Sequence, residues 1–129
     1  MRKDYLIIAV ASGKGRGVFT QKKIAANTVI EVAPVIVMPA EDRPHIDKTK
    51  LHDYIFEWGD DSSKCAMALG WIPIYNHSYI SNCEYYMDFD TDNMLVKTVR
   101  GIEKGEELTI NYNGDFDNPQ KVWFDVQKG

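Results

Sequence analysis

Gly70-Trp-Ile-Pro-Ile-Tyr-Asn-His-Ser-Tyr-Ile-Ser-Asn82 is the stretch on which the reading of this chain turns. An apolar run breaks off into Asn76-His77-Ser78, and a second amide follows at Asn82. Polar groups at the end of a buried run are costly unless they find partners. A strand end followed by a polar turn explains the cluster without any function. Two further stretches give it weight. Gly13-Lys-Gly-Arg-Gly17 runs into Val18-Phe19, and Glu107-Leu-Thr-Ile-Asn-Tyr112 is a short alternating strand ending in tyrosine. Glycine permits positive φ and leaves the backbone bare. The Gly-rich stretch is therefore either a plain hairpin turn or a turn whose amide groups line a ligand.

Working outward, the length of 129 residues predicts one domain with a single core. A hydrophobic fraction of 44% and a charged fraction of 26% are ordinary for a soluble globular protein. Tyr5–Val10 is too short for a signal-peptide core or a membrane span, so a cytoplasmic protein without membrane contact is expected. Cys65 and Cys83 form no Cys-x-x-Cys pair, and two cysteines cannot build a Cys-only zinc site. His45, His52 and His77 show no metal-ligand spacing, so no metal is expected. The net charge of −4 is unevenly spread: up to Ile30, six basic residues face Asp4 alone, and the remainder is strongly acidic. This argues against direct nucleic-acid binding. It suits a basic peptide on an acidic groove, although a solvated acidic surface explains most of these charges equally well.

Strands are expected at Tyr5–Val10, Val18-Phe19 and Thr28–Met38, the last an edge strand or one broken at Pro34. Pro39–Lys50 reads as an exposed loop. Asp47 then caps a short helix from Lys48 to about Trp58, with Leu51, Tyr54, Ile55 and Trp58 on one face. Cys83–Phe89 and Met94–Val99 read as a hairpin around Asp90–Asn93. Pattern alone gives a mainly β domain of short strands.

A Gly-rich turn, then Asn-His-Ser with a later Asn, then Glu-Leu-x-x-x-Tyr, in that order, resembles the SET-domain family of protein lysine methyltransferases. The resemblance runs from about Tyr5 to Phe124. It implies the SET (β-clip) fold: several small sheets, one short helical insert and a C-terminal pseudoknot. The core would cover about 5–113, the insert about 39–63 and the tail 114–129. It further implies S-adenosylmethionine as cofactor, S-adenosylhomocysteine as product, and a basic protein or peptide substrate, histone or histone-like. A homodimer sharing its groove is compatible with so small a domain, and a nuclear or host-chromatin location with a eukaryotic or pathogen source.

By the same resemblance Tyr112 is the catalytic tyrosine. A phenol at a channel's end can orient the amine without carrying charge. Lys14, Gly15 and Arg16 would meet the cofactor through the backbone. Asn76 would meet its amino-acid end, and His77 its adenine through the main chain, with the imidazole bracing the knot. Asn82 would fix loop geometry, and Glu107 would hold the knot or be a solvated charge. Tyr75 and Phe124 are expected to wall the substrate channel with Tyr112, and Trp123 to cover the cofactor. Asp53, Glu57, Asp60 and Asp61 of the insert are candidates to meet a basic substrate. Tyr79, Ser81, Asn111 and Pro73-Ile74 depart from the family pattern, and no cysteine-rich zinc segment follows. A non-catalytic SET-like module that binds a basic peptide is the alternative.

Overall fold

The computed structural model describes residues 1–112. Short apolar runs separated by glycine, proline and Asx turns fold into nine strands among these residues. They are β1 Leu6–Ala11, β2 Gly15–Thr20, β3 Val29–Met38, β4 Phe56–Trp58, β5 Lys64–Ala68, β6 Asn76–His77, β7 Cys83–Asp88, β8 Asn93–Thr98 and β9 Glu107–Ile110. One sheet has the order β1-β2-β9-β6 and the other β4-β5-β3-β8-β7. Val18, Ile30, Ile72, Met94, Leu108 and Ile110 are wholly buried in the apolar core.

The β1–β2 hairpin turns through Ser12-Gly13-Lys14, with Gly13 and Gly15 at φ of 73° and 74°. These are left-handed values that a side chain would strain. The β7–β8 hairpin follows expectation, with Asp92 at φ 52° in its turn.

Pro34 neither ends β3 nor puts it on an edge. The strand pairs with β8 as far as Pro34↔Asn93 and with β5 from Val35↔Ala68 onward. The residue with no N–H to give falls where the strand changes neighbours, so no ladder bond is lost. Earlier in β3 the register slips between Val29 and Glu31. This bulge lets two consecutive residues, Ile30 and Glu31, both turn inward.

The insert differs from the helix expected over 48–58. Ala40–Asp42 is a 3-10 turn, Arg43–Ile46 a single α-helical turn (α1), and Lys50–Asp53 another 3-10 turn. Asp47 does not cap, because its carboxylate is taken by Arg43 and His52 at 3.3 and 2.8 Å. Thr49 caps instead, its hydroxyl accepting the Leu51 N–H at 3.2 Å. Phe56-Glu57-Trp58 pairs with β5. Of the four residues expected on one helical face, Trp58 is buried in this strand and Ile55 is buried just before it, while Leu51 is exposed in the second 3-10 turn.

The knot is built around β9, which lies between β2 and β6, antiparallel to the first and parallel to the second. The loop after β6 is bonded to this strand. Ser78 N–H donates to the Ile110 carbonyl at 3.0 Å. Asn82 donates through Nδ2 to the Glu107 carbonyl at 2.7 Å and accepts the Thr109 N–H on Oδ1 at 2.9 Å. One buried side chain thus pairs with β9 as a neighbouring strand would.

Candidate active site

Gly17, Asn76 and Glu107 come from the three motifs and meet on one face of the first sheet. The Asn76 amide donates both its hydrogens, to the Arg16 carbonyl at 3.0 Å and to Glu107 Oε2 at 2.8 Å. The second oxygen of Glu107 is paired with Lys14 Nζ at 3.5 Å, both side chains being mostly buried. Glu107 is thus a tie between the Gly-rich turn and β6 rather than a solvated strand charge. Lys14 is occupied by that pair, so what it offers to a ligand is its backbone. Gly17 makes the arrangement possible. A Cβ there would press on the Glu107 carboxylate and come within 2.8 Å of Asn76 Nδ2.

With both N–H groups of Asn76 engaged, its Oδ1 remains as an acceptor that no described residue fills. This oxygen lies beside a turn of bare glycine backbone. An acceptor there fits the α-ammonium of an amino-acid-like ligand, and backbone amides fit its carboxylate. The donor set therefore suits S-adenosylmethionine.

His77 follows on β6 and is buried, with its Nδ1 accepting the Tyr112 N–H at 3.0 Å. A ring nitrogen that accepts carries no proton, so the neutral imidazole holds its hydrogen on Nε2. The ring stands edge-on to Tyr79 and Tyr112, at centroid distances of 4.4 and 5.4 Å. Asn111 is buried and directs Nδ2 toward the Tyr79 carbonyl.

Tyr112 is half-buried, and its hydroxyl donates to the Tyr75 carbonyl at 2.9 Å. Burial pushes its phenol well above the ordinary value, and the nearby Tyr54, Tyr85 and Asp53 push it further. The neutral phenol is therefore the form present near pH 7. Phe56 packs edge-on at 5.9 Å, and Tyr85 donates its hydroxyl to the Tyr112 carbonyl at 3.2 Å. Phe56 was not singled out from sequence for this place.

Tyr75 needs a correction. Its ring was expected to wall the channel, but it is fully buried and its hydroxyl donates to Glu31 Oε1 at 3.0 Å. What Tyr75 presents to Tyr112 is its backbone carbonyl. Glu31 was missed altogether, although a lone acid inside Val29-Ile-Glu-Val-Ala33 was a visible sign. Of the acidic insert residues, Glu57 is paired with Arg43 at 3.7 Å, and Asp61 accepts the Ser63 N–H at 3.0 Å. Asp53 is the insert acid whose charge reaches Tyr112. Trp123 and Phe124 lie outside the described residues. Among those residues no three His, Cys, Asp or Glu side chains cluster to hold a metal, and no helix is long and apolar enough to cross a membrane.

Comparison with known proteins gives concordant results. Residues 15–113 match the family model for the SET domain. A histone-lysine N-methyltransferase of Schizosaccharomyces pombe, specific for lysine 37 of histone H3, is 34% identical over 113 residues. The match covers 87% of this chain and 71% of that protein. The crystal structure of a Plasmodium falciparum protein described as a histone methyltransferase superposes with a TM-score of 0.67 at 28% identity, covering 85% of this chain and 94% of the other.

Proposed function

Since the chain belongs to the SET-domain family of protein lysine methyltransferases, we propose that it methylates a lysine of a basic protein, histone or histone-like, using S-adenosylmethionine. The observation that carries this reading is the bond from the neutral, half-buried Tyr112 phenol to the Tyr75 carbonyl, one residue before Asn76, whose two amide hydrogens are both engaged so that its Oδ1 stands as an acceptor.

When bound, S-adenosylmethionine supplies a methyl group made electrophilic by its sulfonium. Asn76 Oδ1 would hold the ammonium of its methionine part, and the backbone of Lys14, Gly15, Arg16 and His77 would hold the rest. The chain's own task is then to present an unprotonated lysine amine in line with that methyl. A free lysine has a pKa near ~10.4, so its reactive form is scarce at neutral pH. Walls such as Phe56 and Tyr85 disfavour the charged form by withholding water. The Tyr112 hydroxyl donates to the Tyr75 carbonyl, which fixes the direction of the phenol, and a phenol oxygen so oriented can accept from the amine and set its direction. A phenol whose pKa is raised by burial suits a hydrogen-bonding guide better than a phenolate base.

Asp53, whose charge acts on Tyr112, and the acidic remainder of the chain favour a basic substrate. A cytoplasmic or nuclear setting accords with two free, buried cysteines. The test is incubation with labelled methyl donor and, in parallel, core histones or an acidic control protein, followed by mass spectrometry. Label on histone lysines, absent with Tyr112→Phe, is the expected result. Transfer that persists in Tyr112→Phe would refute the assignment of the site.

A further inference from the structure

Glu31 is a carboxylate with 1% exposure, inside the core. A buried acid is costly unless its oxygens are bonded. Both are. Oε2 accepts the Trp71 N–H at 2.7 Å, and Oε1 accepts the Tyr75 hydroxyl at 3.0 Å. These two donors stand at opposite ends of the 3-10 turn Ile72–Ile74, whose flanking residues are Trp71 and Tyr75. The carboxylate therefore spans the turn and holds both its ends.

Three features of the fold serve this placement. The β3 bulge turns Glu31 inward beside Ile30. Gly70, at φ 63°, leaves room for the carboxylate, since a Cβ there would collide with Oε2. Arg2 lies over the Trp71 ring at 3.7 Å, and its charge favours the ionised form of Glu31 against the desolvation that raises its pKa.

The turn that Glu31 spans leads directly into the reaction site. Its last flanking residue, Tyr75, supplies the carbonyl that takes the Tyr112 hydroxyl at 2.9 Å, and Asn76 and His77 follow. We infer that Glu31 is a positioning residue for methyl transfer: by anchoring Trp71 N–H and the Tyr75 phenol, it sets the Tyr75 carbonyl and thereby the direction of the Tyr112 hydroxyl. Glu31 touches no reacting atom. The inference rests on the reading of Tyr112 as the catalytic tyrosine.

Three substitutions separate this from a merely structural role. Tyr75→Phe removes the anchor at one end of the turn and leaves the Tyr75 carbonyl and the Trp71 bond in place. Glu31→Leu removes both anchors, and Glu31→Gln offers one acceptor and one donor of the same shape. The readouts are kcat, the substrate KM, and cofactor affinity by calorimetry, with Tyr112→Phe measured alongside. Displacements of this kind at a reacting group reduce rates by tens-fold. The expected result is a kcat lowered about tenfold in Tyr75→Phe, with KM and cofactor affinity within about twofold of wild type. Glu31→Gln should recover most of what Glu31→Leu loses. An unchanged kcat in Tyr75→Phe would overturn the inference, as would a parallel loss of kcat and cofactor affinity. The Tyr75→Phe arm stands even if Glu31→Leu fails to fold. If Tyr112→Phe itself remains active, the failure belongs to the site assignment and not to Glu31.

Discussion

Replacing Gly17 by alanine puts a methyl group where the structure has the Glu107 carboxylate, 2.8 Å from Asn76 Nδ2 and 3.2 Å from Glu107 Cδ. Gly17 does not have a left-handed φ, so alanine suits its backbone and the effect is one of space alone. Something must give, and the most movable element is the end of the Glu107 side chain. Moving it breaks the charge-assisted bond to Asn76, worth about 1.5–3 kcal/mol. Asn76 keeps its other bond, to the Arg16 carbonyl, so its amide is loosened and not lost. At about 1.4 kcal/mol per tenfold, cofactor affinity should fall roughly tenfold, and at most about a hundredfold. Titration calorimetry with S-adenosylmethionine and S-adenosylhomocysteine reads this directly. Gly105→Ala is the control. Gly105 has φ 86° and open space around its Cα, so the variant should lose about 1–2 kcal/mol of stability through strain and none of its affinity. Unchanged affinity in Gly17→Ala, with the fold intact, would refute the claim that the Gly17–Asn76–Glu107 contact shapes the cofactor site.

Asn82→Ala should destabilise the protein by about 3 kcal/mol, since it leaves the Glu107 carbonyl and the Thr109 N–H of β9 without their partner. That corresponds to a melting temperature about 10 °C lower by calorimetric scan; a shift of a degree or two would mean that the clasp on β9 is held elsewhere. Asn76→Ala should weaken cofactor binding more than Gly17→Ala does, because it removes the Oδ1 acceptor itself. Equal affinity in wild type and Asn76→Ala would contradict the proposed contact. Stability against pH should expose Glu31. Burial raises its pKa in the folded state, so between the ordinary carboxylate value and that raised value the native chain binds more protons than the unfolded one. This contribution makes the protein more stable as pH falls through that window. Glu106 acts in the opposite sense, since its bond to Arg100 holds its pKa down. Denaturant melts of wild type and Glu31→Gln cancel the shared groups, and wild type should gain on the variant as pH falls from neutral toward the ordinary carboxylate value. A pH-independent difference would mean that Glu31 does not titrate in this range.

What could be read from sequence was what depends on local chemistry. Tyr112, Asn76, His77 and the Gly-rich turn stood in motifs whose residue types already suit their contacts. The β7–β8 hairpin followed from alternation and an Asx turn. The misses came from tertiary structure. Tyr54, Ile55 and Trp58 have a helical spacing, but pairing with β5 drew Phe56–Trp58 into a strand. Pro34 looked like a strand breaker because the change of neighbours from β8 to β5 could not be foreseen from the strand itself. Tyr75 was placed near the channel by its position beside Asn76, yet its hydroxyl went to Glu31, a residue 44 positions away. Glu31 itself became visible only once the bulge had turned it inward.

Methyl transfer by wild type and Tyr112→Phe, measured on the same basic protein substrate beside calorimetric binding of S-adenosylhomocysteine, bears most directly on the central claim. Loss of the phenol oxygen should reduce turnover by at least about a hundredfold while product affinity stays within about twofold of wild type. A Phe variant that turns over at the wild-type rate would contradict the role given to Tyr112, and with it the site built around the Tyr75 carbonyl.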